Sequence, residues 1–215
     1  MEQACLVTGK SSELLAEVVR EAVAHGRRTT LARGGPLELP QLEGVSVVSW
    51  NRRSALSARS VVLHAQNTHG RLEEAVIVFS PVRDTVPFHE SSIVNIENRV
   101  DAEMKGYLFL IRELASVFQK QRSGTLLLAV HDYESEVRSP AEAMALGGFM
   151  AAAESLQRFY EREPLEVKLC YSQADDTEAY ASFILGALDS PPPRRVRNEW
   201  LRFAVRGGFF ARPRS

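Results

Sequence analysis

Two kinds of apolar pattern alternate along the chain. Short, nearly continuous apolar runs at residues 4–8, 29–32, 45–49, 75–79, 125–130 and 165–171 read as buried strands, and 198–206 reads as a last strand closed by Gly207-Gly208. Between them, apolar residues recur at helical spacing. Leu14, Leu15, Val18, Val19, Ala22 and Val23 alternate with Glu13, Glu17, Arg20 and Glu21 and predict a helix that Ser11 or Ser12 caps and Gly26 ends. Leu56, Val61, Val62 and Ala65 predict a helix over 54–68. Val100, Met104, Tyr107, Leu108, Ile111, Leu114, Ala115 and Phe118 form the stripe of one long helix over 93–121. Pro140 suits the first turn of a helix over 140–162 that is dense in Ala and Gly, and 177–188 supplies the last helix. Gly/Pro-rich stretches at 34–44, 80–92 and 190–195 read as loops.

Strand and helix alternating from end to end predict an α/β fold: a single Rossmann-type, doubly wound parallel sheet over 1–215, with helices on both faces in three α/β/α layers. In such sheets ligands bind beyond the carboxyl ends of the strands. The positions of interest are therefore Thr8, Gly9, Lys10, Ser11 and Ser12 after strand one, Arg33, Trp50 and Asn51, Ser80, the 131–136 loop and 171–173.

Composition narrows the partners. A formal net charge of −1 on 215 residues offers no electrostatic case for nucleic acid or an anionic membrane surface. No apolar run reaches the roughly 20 residues of a membrane span. The first strand begins at about residue 4, which leaves no room for a targeting peptide, so a cytoplasmic location is expected. Cys5 and Cys170 lie in apolar runs with no metal-ligand spacing around them and read as buried thiols.

Four segments, in order, resemble the short-chain dehydrogenase/reductase family. Thr8-Gly9-Lys10-Ser11-Ser12 looks like the start of its TGxxxGxG turn, and Gly70-Arg71-Leu72-Glu73 before Val76-Ile77-Val78-Phe79 like its G-x-(I/L)-D stretch. Gly124-Thr125-Leu126-Leu127-Leu128 resembles its fifth strand, and Val205-Arg206-Gly207-Gly208 its closing V-D-G-G. The resemblance implies a nicotinamide-dinucleotide fold and pairing of the 93–121 and 140–162 helices in a homo-oligomer. It also implies where catalytic groups should stand. The Ser place falls on His131, the Tyr place on Met144, the Lys place on Gly148 and the Asn place on Glu103. Met144 cannot titrate, and Gly148 offers no charge to lower the pKa of a phenol.

The cofactor end departs as well. Glu13 and Leu15 stand where the family has its second and third glycines, and a carboxylate at residue 13 opposes a phosphate. Lys10, Ser11, Ser12 and a helix N-terminus still form an anion site, and Arg33 is placed to meet a 2′-phosphate. Trp50 would stack on adenine or plug its pocket. The cofactor expectation is thus none or NADP(H). The favoured expectation is a catalytically degenerate member acting by binding or assembly, with itself or with another protein. The alternative is an NADP(H)-dependent oxidoreductase with displaced groups, His131 and Tyr171 being the candidate substitutes. For His131 with Asp132, Glu134, Glu136 and Glu103, a solvated acidic loop is favoured over an acid/base or metal site. Arg194-Arg195-Val196-Arg197 likewise reads as a solvated loop.

Overall fold

The computed structural model describes residues 2–35, 44–84, 86–133, 138–191 and 200–204. The closing 205–208 motif, Glu134, Glu136 and the 194–197 cluster lie outside them. Seven parallel strands form one sheet in the order β3-β2-β1-β4-β5-β6-β7. They are β1 (Ala4–Gly9), β2 (Arg28–Arg33), β3 (Val45–Ser49), β4 (Glu74–Phe79), β5 (Thr125–His131), β6 (Glu166–Ser172) and β7 (Leu201–Phe203). The helices are α1 (Glu13–Ala24), α2 (Ala55–His69), α3 (Ile93–Val100), α4 (Gly106–Gln121), α5 (Pro140–Phe159) and α6 (Thr177–Asp189). The order reverses between β1 and β4, so the crossovers leave a crevice at that point.

Alternate residues of each strand serve different cores. Leu6, Ile77, Phe79, Leu126 and Leu128 pack with α2, α4 and α5. Their neighbours Val7, Val76, Val78, Leu127 and Ala129 pack with α1 and α6. A sheet buried on both faces needs apolar residues at both parities, which is why its central strands read as continuous apolar runs.

Several expected boundaries shift. The helix expected over 93–121 is interrupted by a π turn, Asp101–Lys105, which widens the helix and turns Glu103 inward, 3% exposed. Gly106 follows because the helix there meets the β3–α2 loop: a Cβ at 106 would lie 2.1 Å from the Arg52 carbonyl oxygen. The helix expected to reach 162 ends at Phe159. Leu56 and Leu108, read as core-facing, are exposed. Helical spacing places a residue near a face, but neighbouring elements decide how wide the covered face is.

Two buried polar groups fasten the amino-terminal edge of the sheet. Arg27 binds Glu74 through two nitrogens, at 2.6 and 3.3 Å, and reaches Asp189 at 2.5 Å. Lys168 on β6 donates to the Ala187, Leu188 and Ser190 carbonyls and so caps the end of α6. Breaking one partner of a buried pair leaves an uncompensated charge. Glu74→Ala is therefore expected to cost about 3–5 kcal/mol in urea unfolding, and the Arg27→Met/Glu74→Leu double variant much less. A cost for the double variant as large as for Glu74→Ala would contradict this.

Candidate functional site

The carboxyl ends of the strands bring the expected residues to one edge, where they separate into three groups.

The first group is the turn after β1. Thr8 is buried and its hydroxyl donates to the Ala32 carbonyl at 2.8 Å. Gly9 lies so close to β4 that a Cβ would stand 2.5 Å from the Val78 carbonyl oxygen. The Lys10 backbone lies near the Tyr107 hydroxyl and pulls that phenol down, against the larger upward push of burial. The Ser11 hydroxyl reaches the Gly35 carbonyl at 3.5 Å, and the Ser12 side chain caps α1 by accepting from the Leu15 amide at 3.2 Å. Leu15 is fully buried in the α1–α6 core. The Thr8 and Ser11 hydroxyls are thus directed at carbonyls of the chain, and Glu13 adds an acidic charge to the first turn of the helix.

The second group is a cleft of about 650 Å³ at the ends of β2 and β3. It is lined by Arg33, Gly34, Gly35, Ser49, Trp50, Asn51, Arg52, Arg53 and Ala102. Trp50 contributes no stacking platform: it is 1% exposed, its ring packed edge-on to Tyr107 at 5.4 Å. Of the two readings of Trp50, the structure favours the plug. Arg52 donates to the Tyr107 hydroxyl at 3.4 Å, and Arg53 to the Asn98 side chain at 2.6 Å. Among the described residues neither bond is to a carboxylate. Behind this wall Glu103 lies 3.5 Å from Arg99, and the guanidinium of Arg99 also binds Asp84 and the Val82 carbonyl. Burial pushes the Glu103 carboxyl up, against the pull of Arg99. Burial holds the Lys10 ammonium below its usual range, with Arg52 and Arg99 adding to the effect against the opposing pull of Glu103.

The third group occupies the expected catalytic end. His131 and Asp132 are 0% and 3% exposed, which corrects the expectation of a solvated loop. His131 Nε2 is 2.8 Å from the Ala174 carbonyl, an acceptor, so Nε2 carries the proton, and among the described residues the buried Nδ1 has no hydrogen-bond partner. Burial lowers its pKa and keeps the ring neutral. Tyr133 lies on that ring, centroids 4.1 Å apart, with the Arg83 guanidinium 5.5 Å over the Tyr133 ring. Burial pushes the Tyr133 phenol up and Glu13 adds to the effect, so the phenol lies within electrostatic reach of the start of α1. Asp132 accepts from the Tyr171 hydroxyl at 2.8 Å and pairs with Arg138 at 2.5 Å. Burial, followed by the bond to Asp132, pushes the Tyr171 phenol up to about 12. A phenol serving as a neutral-pH acid/base needs the opposite shift. Ser80 is buried at the end of β4. Met144 is half exposed on α5 beside Ile96, Arg99 and Met104. A Cβ at Gly148 would stand 3.1 Å from the Met104 methyl, so the π turn packs closely against α5 at this point. Glu103 is engaged with Arg99 rather than with His131, and among the described residues no group of three potential metal ligands forms. Cys5 and Cys170 are buried free thiols pushed up by burial, Cys170 to about 12.

Sequence reasoning missed Arg52, Arg53, Tyr107, Tyr133 and Met104. The Arg52-Arg53 pair directly after Trp50-Asn51 was the available signal. Tyr107 and Met104 looked like ordinary members of an apolar stripe.

Against known proteins, no protein-family model matches the chain. An uncharacterized protein of Treponema pallidum (strain Nichols) is 27% identical over 207 residues, covering 92% of this chain and 90% of that one. A short-chain dehydrogenase from Streptomyces avermitilis superposes with a TM-score of 0.77 at 18% identity, covering 96% and 89% of the two chains. One from Mycobacterium smegmatis gives 0.76 at 12% identity over 96% and 93%. The chain has the fold of the short-chain dehydrogenases. A dinucleotide fits this fold's edge only in part. The arginine cleft offers cations to a phosphorylated adenosine, whereas the turn after β1 and the Tyr133–His131 stack do not suit the diphosphate and nicotinamide.

The burial of neutral His131 has a pH consequence. Its folded pKa lies below the ordinary 6.5, so below that pH the unfolded state binds more protons and stability falls with acid. His131→Gln is expected to flatten the part of this acid limb that begins near pH 6.5, measured as urea midpoints from pH 7.5 to 5.5. An unchanged pH dependence would contradict it.

Proposed function

We propose that the protein is a catalytically degenerate short-chain dehydrogenase-fold protein that acts by binding and by assembly rather than by hydride transfer. The observation that carries the reading is the state of the two positions where the family resemblance puts the proton relay. Met144 has no proton to exchange, and the space beside Gly148 is taken by Met104. Reduction of a carbonyl needs a proton delivered to its oxygen from a group poised near the working pH. The substitutes considered from sequence lack that poise: His131 is buried and held neutral with its donor spent on Ala174, and Tyr171 is pushed up to about 12 by burial and by Asp132.

A second reading, an NADP(H)-dependent oxidoreductase with displaced groups, draws its support from Arg33 together with Arg52 and Arg53 in the cleft. Assembly draws support from α5, whose exposed face carries Ala143, Met144, Gly147, Ala151 and Phe159 with little charge among them. Such a face suits close approach of a second copy.

Incubation with NADPH and a panel of aldehydes and ketones is expected to give no turnover above the uncatalysed rate. Turnover abolished by His131→Ala would replace this reading with the second one. In sedimentation at micromolar concentration a dimer is expected, and Ala151→Glu is expected to shift it to monomer. A wild-type monomer would overturn the assembly half.

A further inference from the structure

An amine and a carboxyl meet beside the π turn. Lys10 follows Gly9, the last residue of β1, which lies between β2 and β4 where the strand order reverses. Glu103 is the central residue of the π turn and is 3% exposed. Single π turns are rare in helices and recur at functional sites. The Lys10 ammonium lies within electrostatic reach of Glu103, Arg52 and Arg99. The Lys10 backbone and the Arg52 guanidinium also come together at the Tyr107 hydroxyl.

The chain has four lysines, at 10, 105, 120 and 168, and they differ in what they hold. Lys105 pairs with Asp101, Lys168 donates to the carbonyls at the end of α6, and Lys120 is exposed on α4. Lys10 is half-buried, yet among the described residues its ammonium has neither a hydrogen bond nor a carboxylate within ion-pair distance. Glu103 Oε2 likewise has no hydrogen-bond partner among them, although Arg99 stands 3.5 Å away. Burial disfavours both charges, holding the Lys10 amine below its usual range and pushing the Glu103 carboxyl up. Both groups are thereby moved toward their uncharged forms, the amine with a free lone pair and the carboxyl with a proton to give. Arg52, held by the neutral Tyr107, brings a cation to the same place.

We propose that Lys10 and Glu103 form an amine–acid pair that takes a small anionic aldehyde as an imine. The Lys10 nitrogen attacks the carbonyl carbon, and the proton it sheds goes to the carbonyl oxygen, giving a carbinolamine. Glu103 then protonates the departing hydroxyl. The C–O bond breaks, water leaves, and the nitrogen lone pair closes the C=N bond, so a protonated imine stands beside the Glu103 carboxylate. The step needs no oxidant or reductant. Arg52 meets the anionic group of the aldehyde. This goes beyond the binding and assembly role proposed above, and neither hydride transfer nor oligomeric state decides it.

The probe is pyridoxal 5′-phosphate, an aldehyde that carries a phosphate. It is incubated with the full chain, the imine is reduced in place with sodium borohydride, and the modified lysine is located by mass spectrometry of proteolytic peptides. At pH 7.5 the adduct is expected to form about tenfold faster at Lys10 than at the exposed Lys120. That ratio should shrink as the pH rises toward 10, where ordinary lysines also lose their protons. Glu103→Gln is expected to slow the Lys10 adduct about tenfold and to leave the Lys120 adduct unchanged. A Lys10 adduct no faster than that at Lys120 at pH 7.5 would overturn the proposal. So would a Glu103→Gln variant with the wild-type urea midpoint that reacts like the wild type. Equal rates with pyridoxal, which lacks the phosphate, would overturn the anionic requirement. If Glu103→Gln also loses stability, the wild-type ratio and its course with pH decide.

Discussion

The Tyr107 hydroxyl sits where three parts of the molecule meet. It accepts from Arg52 of the loop after β3, the Lys10 backbone of the turn after β1 lies near it, and its ring packs edge-on against Trp50 and Phe79. Gly106, next to it, lets the Arg52 backbone press against the helix. The π turn before Gly106 carries Glu103 inward and Met104 against Gly148. One residue of an apolar stripe thus brings together the turn after β1, the cleft wall and the helix that follows the π turn. Aromatic pairs of this kind each add about 0.5–1.5 kcal/mol beyond the area they bury.

The electrostatics follow from the same node. Positive charge gathers at the cleft through Arg33, Arg52 and Arg53, and behind it Arg99 is answered by Glu103 and Asp84. At the opposite end Asp132 is answered by Arg138 and Tyr171. Removing either partner of such a buried pair would leave a charge uncompensated. Arg52 and Arg53 in the cleft are hydrogen-bonded instead to the neutral side chains of Tyr107 and Asn98.

Much of the fold was legible because a doubly wound sheet writes itself in apolar runs and helical spacing. Each described strand matches an apolar run to within a few residues, and Ser12, Gly26 and Pro140 punctuate their helices as their chemistry requires. The breaks in legibility are physical. Nothing in the spacing of Val100, Met104 and Tyr107 distinguishes an α from a π turn, because the difference is one residue of register. The acidic composition around His131 suggested solvent, yet β5 extends to His131 and buries it beneath Tyr133. That Met144 and Gly148 carry no transferable proton was legible in the sequence; that Met104 packs against Gly148 required the structure.

Glu13 in the first turn of α1 and the fully buried Leu15 set the turn after β1 against a diphosphate. Backbone amide resonances report this residue by residue: on titration with NADP⁺, those of Gly9, Lys10, Ser11, Ser12 and Glu13 should stay in place. Large shifts at Lys10 to Glu13 with NADP⁺ would show the turn opening to receive a diphosphate and would contradict the account.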